Sequence, residues 1–527
     1  MTSTGICSIS FNVASATDSG APTMKTISFQ ARPTIAWPND NPYLNEAWRP
    51  VDTEWTATSP ELEVIGEIPR DLSGLYVRNG HNPVHESIGR YHPYDGDGMV
   101  HAMAFHDGKV QYRNRWVRTV GFLAEQAAGK SLWPGIIEPR KAALRGWGSI
   151  GAMKDNAGTD ITVHGGKILT AMSQGSEPYR MSGLSLETTG VEPNWARALQ
   201  PRGICSHFKV DQHSGHMVFF NFGETPPYMN YGVVDRDNQL VHFEPVELPG
   251  PRWPHDFGMT ENYCVLHDLP LFFDPDRLRQ GSHRLRFWHD LPSRFGVIPR
   301  FGTNADVRWF EAEPCYVLHL SNTFEDGEEV VMDGCIQRNP LPDLSSLPAE
   351  GYERLTAMLD LHLQKTRMHR WRFNLRTGET REEDLDDQVT EFPMVNGLNN
   401  GRSYRYSYNA IPCKGFWLLE GLKKYDLLTG QTQTYMLPKG CYLSETPFAQ
   451  RPGATAEDDG YLVTFLTNLN TGKGECAIFD ARDITRGPIA RVVLPQQVPT
   501  GAHAFWATPD MLPGFEVDFQ AAMNGLT

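Results

Sequence analysis

Four of the 18 histidines share one kind of local sequence. Each lies at or near the end of a short apolar stretch with the pattern of a β-strand: His207 in ICSHFKVD, His255 in RWPHDFGMTENY, His319 in CYVLHLSNTFED and His503 in VPTGAHAFWATPDML. One such histidine is usually a packed core residue, whereas four in similar settings could act together. Four neutral imidazoles without a thiolate or carboxylate suit a borderline divalent ion such as iron, copper or zinc. A four-histidine metal site is therefore one interpretation of the sequence.

Other kinds of catalytic site lack their sequence signatures. The chain has no HExxH zincin motif, no GxSxG nucleophile elbow and no P-loop. The four histidines are separated by 48, 64 and 184 residues, so any site they share must be assembled from distant parts of the chain.

The pattern of short strands indicates a scaffold that could bring distant residues together. From about Pro38 onward, apolar runs alternate with turn signals and show no break in composition, which favours one large closed β architecture such as a propeller. In a propeller, the inner ends of strands from different blades converge on one axis. Two stretches predict helices (120–132 and 349–366), and 341–348 predicts an inserted loop. The clearest strand candidates are GLYVRNG, GKVQYRNRWVRT, GGKILTAMS, SGHMVFFNF, NQLVHFEPV, NYCVLHDLPLFF and GYLVTFLTN.

Composition narrows the class of protein. The formal net charge of -15 disfavours a nucleic-acid partner, because no basic face could neutralise phosphates. The sequence lacks an uninterrupted apolar run long enough to span a bilayer. Its eight cysteines form no CxxC pair, which is typical of a reducing compartment, so we expect a cytoplasmic protein with at most peripheral membrane contact. We predict a flexible tail over 1–37 and a single domain over 38–527.

Several stretches in one order resemble the carotenoid cleavage oxygenases, a family that includes carotenoid-, apocarotenoid- and stilbene-cleaving enzymes. The resemblance runs from about Asn41 to the C-terminus. It implies an all-β fold, a seven-bladed β-propeller with a helical cap over the axial face that contains iron. The matching segments are NPYLNEAWRPV, GEIPRDLSGLYVRNGHNP, YHPYDGDGMVHAMAF, HDFGMTENYCVLHDLPLFF, RFGVIPR, VRWFEAEPCYVLHLSNTFEDGEEVVMDGC, EFPMVN and RPGATAEDDGYLV.

The resemblance also implies the chemistry of the site. It implies that His207, His255, His319 and His503 hold a non-haem Fe(II), with room for dioxygen and water. The family reaction cleaves a carbon–carbon double bond of a conjugated chain with O2 and yields two carbonyl products. We therefore expect O2 and a hydrophobic conjugated alkene as reactants, and we identify no obligate protein partner.

One position departs from the family pattern. Family members orient three ligands with glutamates that accept from the second ring nitrogen, and Glu391 and Glu445 match two of these positions. Where the third glutamate should follow the HGGKILTAMS strand, this chain has Gln174, which can accept a hydrogen bond but supplies no charge. We expect His255, the ligand that this position supports, to be a weaker donor, unless Glu177 turns in instead.

Residues near Gln174 bear on the class of substrate. Stilbene-cleaving members carry a lysine before the third glutamate and an upstream tyrosine. Here Ser173 replaces that lysine, and the segment 133–146 has no tyrosine. The absence of this clamp and the segment HDLPLFFDP favour a carotenoid or apocarotenoid substrate. Cleavage of a stilbene or other aryl alkene, and a non-cleaving polyene-binding or isomerising protein, remain alternatives. Ala502 and Ala504 flank His503 where the family commonly has Phe-His-Gly, and the smaller residue before the histidine leaves extra room beside the metal.

Overall fold

A computed structural model describes residues 25–137, 144–148 and 151–525. Residues 1–24 of the predicted tail and part of the segment 133–146 lie outside these ranges. Within the tail, residues from Lys25 onward already form a strand that pairs with the main sheet of the first blade. The strands are numbered below in chain order.

Seven blades make up the body of the protein, as predicted. Blade 1 contains β1 (Lys25–Gln30), β2 (Thr53–Thr58), β4 (Gly74–Arg78), β5 (Met99–His106), β6 (Lys109–Trp116) and β34 (Ala504–Ala507). Blade 2 contains β7 (Asp160–His164), β8 (Lys167–Ala171), β9 (Tyr179–Met181) and β10 (Thr188–Val191). Blade 3 contains β11 (Lys209–Val210), β12 (Met217–Phe222), β13 (Met229–Val234) and β14 (Leu240–Val246).

The remaining blades follow the same antiparallel order. Blade 4 contains β15 (Gly258–Met259), β16 (Tyr263–Asp268), β19 (Ser293–Pro299) and β20 (Arg308–Ala312). Blade 5 contains β21 (Tyr316–Asp326), β22 (Glu329–Gln337), β23 (Thr366–Asn374) and β24 (Thr380–Asp384). Blade 6 contains β25 (Glu391–Met394), β26 (Tyr406–Pro412), β27 (Leu419–Asp426) and β28 (Gln431–Met436). Blade 7 contains β29 (Cys441–Leu443), β30 (Phe448–Gln450), β31 (Gly460–Asn468), β32 (Lys473–Asp480), β33 (Ala490–Val493) and β3 (Val64–Gly66).

The two ends of the chain close the ring by exchanging strands. The last strand, β34, pairs with β4, so that Ala504 lies opposite Arg78 and Trp506 opposite Tyr76. The early strand β3 pairs in turn with β33 of blade 7. A buried apolar cluster that includes Tyr76, Phe465 and Trp506 fills the space between blades 1 and 7. Closure of the ring therefore depends on both ends of the domain.

Helices contribute little to the described chain. They are α1 (Val120–Ala128), α2 (Pro275–Arg279), α3 (Glu353–Met358) and α4 (Phe515–Met523). None of the helices in the described ranges is long and apolar enough to cross a membrane. The hairpin of β17 (Leu271–Phe273) and β18 (Leu285–Phe287) stands outside the blades, and its residues Leu271 and Leu285 line one cavity together with Met358 of α3.

Both helix predictions were too long. Helix α1 stops at Ala128 because Gly129 adopts a left-handed conformation (φ 65°) that caps it. The run 349–366 forms a helix only over Glu353–Met358, because the residues that follow turn toward β23, whose pairing with β22 begins at Thr366. The predicted loop 341–348 is confirmed, and each of the seven predicted strand segments contains a strand.

We predict that Trp506→Ala weakens closure of the ring. Trp506 is 6% exposed, and truncating a buried tryptophan costs roughly 3–5 kcal/mol of stability. The apparent Tm, followed by circular dichroism, should fall clearly. Val517→Ala is the matched control, since Val517 is 73% exposed on α4. Equal Tm values for the two variants would contradict this role of the last strand.

Candidate metal centre

The first strands of neighbouring blades meet around the axis, and the four predicted histidines meet there too. Strand β34 contacts β7, and β21 contacts both β15 and β25. His207 stands two residues before β11 and His255 three residues before β15, while His319 lies within β21. His503 stands immediately before β34. Blades 3, 4, 5 and 1 therefore each supply one imidazole to the same point.

The ring nitrogens are close enough to share one ion. The Nε2 atoms of His207 and His255 are 3.0 Å apart, and those of His255 and His319 are 3.3 Å apart. One nitrogen from each of the four rings lies within 4.8 Å of all the others. His207, His319 and His503 are buried, and His255 is partly exposed.

Burial keeps three of the four rings neutral. Burial, together with the nearby imidazoles, holds the pKa of His207 and of His255 well below the ordinary value. Burial likewise lowers the pKa of His319 to about 3. Burial also disfavours the charged form of His503, but the carboxylates of Glu445, Asp160 and Asp256 together more than offset this and raise its pKa. Neutral imidazoles are the form that binds a metal, so the donor set fits a divalent transition ion.

Two predicted glutamates contact the predicted histidines. His319 Nδ1 lies 2.5 Å from Glu391 Oε2, and His503 Nδ1 lies 3.2 Å from Glu445 Oε1. Each carboxylate also accepts a hydrogen bond from a backbone N–H. Phe392 donates to Glu391, and Ala504 donates to Glu445. A carboxylate on Nδ1 keeps the proton there and leaves the Nε2 lone pair free to face the centre.

Known proteins share this architecture over nearly the whole chain. The profile of the family described as "Retinal pigment epithelial membrane protein" matches residues 48–508. A carotenoid 9,10(9',10')-cleavage dioxygenase of Crocus sativus is 33% identical over 509 residues, which cover 90% of this chain and 91% of the relative. A carotenoid cleavage oxygenase of Mycobacterium tuberculosis is 32% identical over 521 residues, covering 89% of this chain and 98% of the relative. The chain belongs to the carotenoid cleavage oxygenase family.

A solved structure agrees with this family assignment. The lignostilbene dioxygenase of Pseudomonas brassicacearum superimposes with a TM-score of 0.78 at 26% identity, and covers 90% of this chain and 100% of its own. The relatives are named dioxygenases, and this chain is accordingly an enzyme of the carotenoid-cleavage type. The predicted family and propeller fold are therefore confirmed.

Gln174 behaves differently from Glu391 and Glu445. It is 7% exposed, yet its Oε1 has no hydrogen-bond partner among the described residues. The expected bond from His255 to this oxygen is therefore not formed. Glu177 does not replace it, because its Oε1 accepts from Gln200 Nε2 at 2.7 Å and lies 3.5 Å from Arg145. His255 is left without a carboxylate of the kind that Glu391 and Glu445 provide.

Two aspartates near the histidines were not predicted from the sequence. Asp160, the first residue of β7, places Oδ2 3.8 Å from His207 Nδ1 and accepts from Phe208 N at 3.3 Å. Asp256, next to His255, accepts from Leu320 N at 2.8 Å and lies 2.8 Å from Lys209 Nζ. For Asp256, the sequence offered one signal, a carboxylate directly after a candidate ligand in His255-Asp256-Phe257. The sequence around Asp160 offered no comparable signal.

Asp256 links three of the histidine-bearing segments. It follows His255, it holds the backbone next to His319, and it pairs with Lys209, two residues after His207. Asp256 is only 2% exposed, so water contributes little to stabilising its charge. The lysine and the backbone N–H groups of Phe257 and Leu320 stabilise it instead. Asp256 therefore sets the spacing of these segments.

An apolar cavity opens over the histidines. His255, His319 and His503 form part of its wall, and the rest is mainly aromatic and aliphatic. The Phe392 ring lies 4.8 Å from His319 and 5.4 Å from His503, measured between ring centroids. Phe392 reaches this place from a left-handed backbone conformation (φ 50°), which is uncommon for a bulky residue. Other apolar residues of the wall are Phe222, Trp253, Leu271, Leu318 and Trp417.

We predict that Asp256→Ala disrupts the centre. It removes the partner of Lys209 and leaves the Leu320 N–H unsatisfied, and losing one member of a buried pair costs roughly 3–5 kcal/mol. Lower thermal stability and weaker metal binding should appear together, by calorimetry and metal titration. Asp326→Ala, at the exposed end of β21, is the control. An Asp256→Ala protein with native stability and native metal affinity would refute this linking role.

Proposed function

We propose that this protein is a non-haem iron(II) dioxygenase that cleaves a carbon–carbon double bond of a carotenoid or apocarotenoid with O2, giving two carbonyl products. The proposal is supported above all by one observation. Four imidazole nitrogens from four blades lie within 4.8 Å of one another, and the rings of His255, His319 and His503 line a mainly apolar cavity. Such a cavity suits an extended, uncharged alkene, and the histidines suit a redox-active divalent ion.

His207, His255, His319 and His503 would hold the iron. Iron(II) held by these nitrogens would supply the activation of dioxygen beside the alkene. Iron, rather than another divalent metal, is part of the proposal. The converging atoms are imidazole nitrogens, a donor type that suits iron(II).

The surrounding residues have three tasks in this proposal. Glu391 and Glu445 hold the rings of His319 and His503 with Nε2 toward the metal. Asp160 provides a negative charge near His207. Phe392 and Trp417, whose rings are 6.0 Å apart, offer aromatic faces to a conjugated chain and exclude water from it. The protein thus positions and desolvates the alkene and needs no acid–base residue of its own.

The polar part of the cavity wall supports a second candidate substrate. Tyr94 and Gln174 both line the cavity, and either could hydrogen-bond the phenol of a hydroxystilbene. The likeness to a lignostilbene dioxygenase points the same way. Against it stands Ser173, which also lines the cavity and occupies the place of the lysine that holds a phenol oxygen in stilbene-cleaving members.

Peripheral contact with a membrane, from which such substrates would be drawn, stays a prediction, as does a cytoplasmic location. The exposed side chains of Val120 and Leu123 on α1 are the features that support such contact.

We predict that His207→Ala and His503→Ala each abolish stoichiometric iron binding. Losing a ligand should weaken binding by more than the roughly 10–100-fold that follows loss of an outer-shell partner. Metal analysis by mass spectrometry after reconstitution provides the measurement. His213→Ala, in the hairpin between β11 and β12, should retain the metal. Stoichiometric iron in either variant of the cluster would exclude that histidine as a ligand.

The reaction itself is tested by product analysis. The Fe(II)-loaded protein should convert a carotenoid or an apocarotenoid into two carbonyl products under O2, and should convert a hydroxystilbene more slowly. Chromatography with mass detection identifies both fragments. Exclusive cleavage of the hydroxystilbene would favour the second candidate. Tight binding of the polyene without any cleavage would overturn the proposed activity in favour of a binding or isomerising protein.

A further inference from the structure

We propose that the cavity ends in a binding site for a carboxylate carried by the substrate. Arg277 of α2 and Arg284, next to β18, form this site, and we call them the arginine pair. The inference rests on the proposed function and specifies its substrate class, a conjugated alkene with an anionic end.

The arginine pair lines a second cavity that adjoins the first. The charged side chains of this second cavity are Asp274, Arg277, Arg284 and Arg286. Leu285 and Leu341 belong to the walls of both cavities. The guanidinium groups therefore lie on the far side of these two leucines from the first cavity, where a long ligand that passed the leucines would meet them.

The charges of the second cavity do not cancel. Arg286 Nη1 lies 3.6 Å from Asp274 Oδ2, and its guanidinium stacks 3.8 Å from the centre of the Trp288 ring. In the part of the chain that the structure describes, neither Arg277 nor Arg284 forms an ion pair. Two positive charges thus remain at the edge of an apolar cavity, in a chain with a net charge of -15.

Backbone contacts hold the two arginines at a defined spacing. Asp274 N donates to Arg284 O at 2.9 Å, which ties the start of α2 to the strand that follows it. Asp274 Oδ1 accepts from Arg277 N at 3.2 Å and so caps the helix that carries Arg277. Both arginines are exposed, and both can therefore reach a ligand without being buried themselves.

An arginine fork matches the two oxygens of a carboxylate, and the pairing persists at any physiological pH because arginine stays charged. The anionic end would keep most of its hydration at this exposed position, while the apolar chain lies against the aromatic wall. Burying the same charge deeper, beside Phe392 and Trp417, would be costly. The arrangement therefore favours substrates whose charged end lies far from the histidines.

The test compares an apocarotenoic acid with its methyl ester. In the Arg277→Gln/Arg284→Gln protein, kcat/KM for the acid should fall roughly fivefold, as expected from two exposed ion pairs, and kcat/KM for the ester should stay unchanged. Arg279→Gln is the matched control, because Arg279 is on the same helix but pairs with Asp276. An equal loss for acid and ester, or no loss for the acid, would overturn the site.

Binding is measured separately from turnover. Without O2, quenching of tryptophan fluorescence in the Fe(II) protein should show tighter binding of the acid than of the ester, and the preference should vanish in the double variant. A preference for the acid that vanishes in the double variant would support the arginine pair even if neither compound were cleaved. The lack of cleavage would count only against the proposed function. Equal affinities in the unaltered protein would refute the arginine pair.

An anionic lipid headgroup is the other source of such a ligand. Cosedimentation with vesicles of phosphatidylserine or phosphatidylcholine distinguishes the two. If the double variant loses binding to phosphatidylserine vesicles while its preference for the acid is unchanged, the arginines serve a lipid surface and the proposed substrate site is wrong.

Discussion

Four imidazole rings whose nitrogens lie within 4.8 Å of one another can be packed together inside a protein only while most of them are neutral. This electrostatic constraint governs the centre of the propeller. Burial lowers the pKa of His207, His255 and His319, and repulsion from the neighbouring imidazoles lowers it further. A divalent ion relieves the crowding of lone pairs that remains, so the same packing that repels protons favours a metal.

The circular arrangement of the blades brings the four histidines together. Each contributing histidine comes from a different blade, and the position of His503 depends on the last strand pairing with β4. Around the axis, Asp160, Asp256, Glu391 and Glu445 surround the imidazoles with carboxylates. Gln174 alone breaks this pattern, with a buried oxygen that no described group satisfies.

Much of the fold could be predicted because each strand of a propeller has a recognisable local sequence pattern. Alternating apolar residues and frequent turns located the strands, and matched segments indicated the family and the four histidines. The helices were predicted less well. The run after Leu359 has helical composition, but its neighbours in blade 5 impose a turn and a strand on it, and such tertiary pairing is invisible in a local pattern. Asp160 was missed for a related reason, since only the fold brings β7 beside His207.

The departure at Gln174 could be recognised from the sequence, but its consequence could not. Whether an amide turns toward His255 depends on side-chain packing rather than on residue type, and here its oxygen makes no such contact. The proposed role of Arg277 and Arg284 likewise could not be predicted from the sequence. It depends on their position in the fold, where Leu285 and Leu341 belong to the walls of both cavities.

X-ray absorption at the iron edge of the Fe(II)-loaded protein tests the central claim most directly. Ligation by His207, His255, His319 and His503 predicts a first shell dominated by nitrogen, with multiple scattering from four imidazoles. The His255→Ala protein should lose one imidazole contribution or fail to retain iron. A sulfur ligand, or a shell with two or fewer imidazoles in the unaltered protein, would contradict the account.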